Sequence, residues 1–112
     1  MTYDVQLAAR VREMFADDPA VREQTMFGAR AFLVADRLAV AASADGGLMV
    51  RIDPAHAEQL VRTTAAQPIQ MRGRTMRGWV HIDGEHVRSR RRLDEWIAVG
   101  TAAETSTLGA TP

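Results

Sequence analysis

The sequence predicts an α+β domain: an antiparallel β-sheet, built as a meander plus a short hairpin, with helices packed on it. Three observations carry this. The chain opens with an apolar repeat at helical spacing, Leu7, Ala8, Val11, Met14 and Phe15, with Arg10, Arg12 and Glu13 on the other side. Short apolar runs separated by turn signals then fill Val21 to Ile52. Two later segments return to helical spacing, each after a residue type that caps helices, Asp53 and Ser89.

Each element has a local cause. Thr2 is the expected cap of the first helix, and Asp17-Asp18-Pro19 stops it, because proline denies the preceding residue the helical region. Val21 to Phe27 alternates loosely as a strand. Ala31 to Ala35 and Leu38 to Ala42 flank Asp36-Arg37, which is read as the hairpin turn. Ala44-Asp45-Gly46-Gly47 is a stronger turn signal. Leu48 to Ile52 follows as a strand with Leu48, Val50 and Ile52 on one face. Short links favour a four-stranded meander.

Asp53-Pro54 then places a capping carboxylate ahead of a proline at the first helical position, and Ala57, Leu60 and Val61 form the apolar face. Pro68 to Met71 and Trp79 to Asp83 read as strands around a loop, residues 72–78. Trp79, His81 and Asp83 share one face of the second strand, Val80 and Ile82 the other. The last helix follows Ser89, carries Leu93, Trp96 and Ile97, and is expected to end at Gly100. This gives one domain over residues 1–100 and a disordered tail over 101–112, with Leu7, Val11, Phe15, Phe32, Val40, Leu48, Val50, Leu60, Trp96 and Ile97 in the core. Trp79 is also read as core.

Composition removes whole classes of chemistry. With no cysteine there is no disulfide framework, thiolate nucleophile or cysteine-bound metal. All 14 basic residues are arginine, so Schiff-base lysines and the phosphate-loop lysine are absent as well. Formal net charge is zero, giving no global pull toward polyanions. The N-terminus lacks a basic region followed by an apolar run, and no apolar stretch is long enough to span a bilayer, so a cytoplasmic protein is expected.

Charge is nevertheless uneven. Residues 1–60 hold 6 arginines and 9 acids, and residues 61–112 hold 8 and 5, so the halves carry −3 and +3. Arg72, Arg74 and Arg77 lie beside glycines in the expected loop. Arg88, Arg90, Arg91 and Arg92 straddle the start of the last helix, where the backbone dipole disfavours cations. If these seven met on one face they would form an anion or nucleic-acid contact. His81, Asp83, Glu85 and His86 lie close together but match no zinc spacing, and no serine sits in a nucleophile turn. No catalytic, cofactor-binding or metal-binding residue is assigned.

Five blocks carry a resemblance. They are Thr25-Met26-Phe27-Gly28, Ala31-Phe32-Leu33, Leu48-Met49-Val50-Arg51-Ile52-Asp53, the run Gly73-Arg74-Thr75-Met76-Arg77-Gly78-Trp79-Val80-His81-Ile82, and Leu93-Asp94-Glu95-Trp96-Ile97. Their order and spacing resemble the TfoX (Sxy) N-terminal domain family over roughly residues 5–100. One departure is Ala29, where the family often has a second glycine. The resemblance implies an α+β domain with no catalytic residues and no cofactor. Its founding members regulate DNA-uptake competence together with a cyclic-AMP-responsive transcription factor, and carry a C-terminal domain that this chain is too short to hold. The expectation is a single-domain, non-catalytic regulatory module acting through a protein partner such as a transcription factor, with a homodimer also expected. The alternative is nucleic-acid binding through the Arg72–Arg92 region; a small enzyme or metal-binding protein is the remaining alternative.

Overall fold

Asp4 starts the first helix. Its carboxylate accepts the Leu7 N–H at 2.9 Å and caps α1, Val5–Met14. Thr2, the expected cap, lies outside the residues described: the structure, a computed structural model, describes residues 4–16, 18–26 and 28–109, apart from the side chains of Met71 and residues 103–109. Leu7, Ala8 and Val11 are buried, and the Phe15 ring that follows stacks on Phe32 with centroids 6.1 Å apart.

Six strands form one antiparallel sheet. They are β1 (Val21–Met26), β2 (Ala29–Val34), β3 (Arg37–Ala42), β4 (Leu48–Arg51), β5 (Gln67–Met71) and β6 (Arg74–Ile82), in the order β1-β2-β3-β4-β6-β5. The meander is therefore β1 to β4, and the hairpin joins it by laying β6 against β4. That pairing sets Val80 opposite Val50 and Ile82 opposite Leu48, so both hairpin residues extend the face that the helices cover. The edges are β1 and β5, the second blunted by Pro68.

Asp53 accepts the Ala55 N–H at 3.0 Å and caps a single 3₁₀ turn, Pro54–His56, which leads into α2, Ala57–Thr63. The last helix, α3, spans Arg90–Gly109 and packs on β3 and β4. All three helices lie on one side. Eight of the ten expected core residues are buried there, and Phe15 and Leu60 pack partly buried against them. Val80, Ile82, Val87 and Leu93 complete that core.

Three boundaries differ from expectation. The turn between β2 and β3 is Ala35-Asp36, one residue earlier than read. Ala39 is an extra residue on β3 between the pairs Phe32↔Val40 and Leu33↔Leu38, which moves the register. The expected loop 72–78 is mostly strand, with only Arg72-Gly73 turning.

The third difference is that Gly100 does not end α3. A side chain there would meet the Ala39 carbonyl oxygen and the Val40 side chain, so glycine lets the helix backbone lie against the bulged strand. Residues 101–109, expected as a tail, continue the helical backbone, and 110–112 lie outside the described residues.

Candidate functional site

The seven arginines singled out by sequence fall on two parts of the fold, the β5–β6 hairpin and the start of α3. Arg72 sits in the β5–β6 turn, with Arg74 and Arg77 on β6. Ile82, eight residues on from Arg74, is the other end of that strand. Arg88, Arg90, Arg91 and Arg92 lie beyond its far end, beside α1. There Arg10 donates to the Val87 and Arg88 carbonyls, each at 2.8 Å, and Arg90 lines a small cleft with Arg10 and Glu13. Arg91 pairs with Glu95 at 3.3 Å, one helical turn on, and the Arg92 N–H is capped by the Ser89 hydroxyl at 3.1 Å. This second group is helix-start surface tied into α1.

The polar residues 81–86 also resolve differently from their sequence grouping. Nε2 of His81 lies 3.1 Å from Asp45, and Nδ1 lies 3.4 Å from Asp83. Asp45 comes from the β3–β4 turn, a partner that proximity in sequence did not suggest. Its carboxylate also accepts from the Ser43 hydroxyl and, at 2.8 Å, from the Gly47 N–H. These hydrogen bonds, Ser43 first, hold its pKa below the ordinary value against the opposing effect of burial. A side chain at Gly47 would run into the His81 ring, so the close approach requires glycine.

The Ser43 hydroxyl thus faces a carboxylate, not an imidazole, and the set lacks the nucleophile–base contact of hydrolytic triads. An open cleft of about 550 Å³ adjoins it, lined by Asp4, Arg10, Asp45, Asp83 and Glu85 among others. Among the described residues no three metal-binding side chains converge.

The other face of the sheet carries no helix. A separate apolar cluster lies there: Ala29, Ala31, Leu33 and Ala41 are buried beneath half-buried Met26, Leu38 and Met49. Arg51 and Trp79 stand opposite each other across β4 and β6 beside it, and both are half-buried. Trp79 therefore belongs to this open face and not to the helix-side core, where Trp96 sits. The strand positions of the face carry no carboxylate. Asp36, Asp45 and Asp83 stand at its ends, bound to Arg22 or His81.

A family model, the TfoX N-terminal domain, matches residues 13–103, most of the chain. The chain belongs to that family. No curated protein matches it significantly. The match takes in all six strands, the α2 segment and α3 as far as Ala103, so in this TfoX N-terminal domain both the open face and the β5–β6 hairpin lie within the family region.

Sequence reasoning found the hairpin arginines but missed the face. The signal was present in the alternation: Met49 and Arg51 interleave with core residues on β4, as Trp79 and His81 do on β6. Which of the two alternating sets meets the helices is not a local property, and Trp79 looked like core on size alone.

Proposed function

We propose that this TfoX N-terminal domain is a non-catalytic interaction module that acts in transcriptional regulation by docking a protein partner on the helix-free face of its sheet. The partner presents an apolar patch rimmed by carboxylates. The observation that carries this is the make-up of the face: Met26, Leu38 and Met49 over buried alanines, Arg51 opposite Trp79 across β4 and β6, and no acidic strand position. Protein interfaces are enriched in tryptophan, methionine and arginine and depleted in lysine and acids.

Arg51 forms no ion pair among the described residues and is half-buried, so a facing carboxylate would gain a charge-assisted bond there. A second copy is the poorer fit, because an isologous pairing would bring arginine faces together with no acid between them. The link to DNA-uptake competence rests on the family alone, and a cytoplasmic location accords with the described helices, none of which is long and apolar enough to cross a membrane.

A photo-crosslinking residue placed at position 49 in cells identifies the neighbour, which is then purified and titrated against the domain. Arg51→Glu and Met49→Lys should each weaken that complex at least tenfold with the circular dichroism spectrum unchanged. Unaltered affinity in both variants, or capture only from positions on α1 or α3, would overturn the proposal.

A further inference from the structure

The β5–β6 hairpin extends beyond the sheet. Pairing between β4 and β6 ends at Arg51↔Trp79, with one further bond from the Ile52 N–H to the Gly78 carbonyl at 2.8 Å. Residues 74 and 75 therefore pair with β5 alone, through Met71↔Arg74 and Gln70↔Thr75. At its base the register jumps from Pro68↔Val80 to Gln70↔Thr75, so one residue of β5 faces four of β6. A bulge of this kind turns a ribbon away from the sheet that carries it. Gln70, Arg72, Gly73, Arg74, Thr75 and Arg77 are all exposed. No atom comes within 4 Å of a side-chain carbon built at Gly73.

The charge on this ribbon is uncompensated. Residues 67–82 contain no acid, and the side chains of Arg72, Arg74 and Arg77 make no ion pair or hydrogen bond among the described residues. Arg72 holds φ at +54° in the first position of a two-residue turn where asparagine, aspartate or glycine is the comfortable choice. An arginine kept in that strained position, exposed and unpartnered, points to a ligand outside the molecule. We propose that the β5–β6 ribbon enters the major groove of duplex DNA, with Arg72, Arg74 and Arg77 on the phosphates.

The dimensions suit this. The paired tip, Gln70-Met71 against Arg74-Thr75, is a two-stranded ribbon, and such a ribbon fits a major groove about 12 Å wide and about 8.5 Å deep. Gln70 and Thr75, a directly opposed pair near the tip, are side chains able to hydrogen-bond base edges. The described side chains at the tip, Gln70, Arg72, Arg74 and Thr75, are polar and exposed, which favours DNA over a protein bound through apolar anchors. This surface differs from the open face, so the two proposals fail separately.

The test is an anisotropy titration of a labelled duplex at about 50 mM and about 200 mM salt. Three phosphate contacts give a log–log salt slope of about −2.7. The Arg72→Asn/Arg74→Thr double variant should bind more weakly with a slope of about −0.9. Asparagine suits the turn, so its melting temperature should equal or exceed that of the unaltered domain, which separates lost contacts from lost fold. Replacing Arg90, Arg91 and Arg92 together with alanine should change neither affinity nor slope. The inference is overturned by no binding at the lower salt, by unchanged binding in the double variant, or by loss of binding in the triple variant. Equal affinity for single strands or for polyglutamate would overturn it too, by showing a generic response to polyanions.

Discussion

Glu23 on β1 accepts hydrogen bonds from two guanidinium groups. Arg12 of α1 donates twice, through Nε and Nη2, and Arg30 of β2 donates at 3.0 Å. The Arg12 hydrogen bond is the leading cause that holds the Glu23 pKa below its ordinary value, with Arg30 adding to it and burial opposing. A carboxylate with a depressed folded-state pKa stabilises the fold above the ordinary carboxylate range, about pH 4, and loses that contribution as pH falls toward its folded value. Glu23→Gln should therefore lower the melting temperature at neutral pH, and the gap from the unaltered domain should close below about pH 4. Asp45 follows the same sign through Ser43, Gly47 and His81. Gly47→Ala should displace His81 from Asp45, read as a changed chemical shift of the His81 ring together with a lower melting temperature.

At the scale of elements, one turn and one helix hold testable strain. The β2–β3 hairpin turns through Ala35 at φ +52° and Asp36 at φ +66°, the left-handed pair that asparagine-glycine adopts most readily. Substituting Ala35→Asn with Asp36→Gly should raise stability by about 1 kcal/mol, seen as a higher urea midpoint at constant slope. Gly100 in α3 offers the opposite case. On helix propensity alone, Gly100→Ala would gain about 1 kcal/mol. The new side chain would press on the Ala39 carbonyl, and overpacking of this kind costs about 1–3 kcal/mol. A net loss of stability is expected, and a net gain would show that α3 is free to move off β3.

Across the whole molecule the sheet divides two kinds of apolar surface. Phe32 is fully buried under the helices, and Phe32→Ala should cost about 3–5 kcal/mol, a large share of the stability of a domain this size. Trp79→Ala on the open face should cost less in urea denaturation and instead weaken the partner complex. If the two substitutions destabilise equally, Trp79 is structural. If the face docks a different protein, as proposed, light scattering at tens of micromolar should give a species near 12.3 kDa. A dimer broken by Arg51→Glu would mean that the face pairs with itself.

Periodicity and caps determined much of this protein. Leu7, Ala8 and Val11 mark the inner face of α1 by helical spacing, Asp53-Pro54 opens the second helical segment, and the turns between Val21 and Ile52 leave room only for a meander. The arginines of the hairpin were also legible, because a run of residues without acids is visible in one dimension. Where sequence misled, distant parts of the chain decided. Gly100 resembles a helix end, yet it serves contact with Ala39, sixty-one residues away in sequence. Asp45 finds His81 only because β4 and β6 are neighbours. Alternation on β4 and β6 separates Trp79 from Val80, but only the placement of all three helices on one side decides that Val80 is buried and Trp79 faces outward. Local propensity acts over a few residues, whereas the side on which a sheet is covered is set by every element that packs on it.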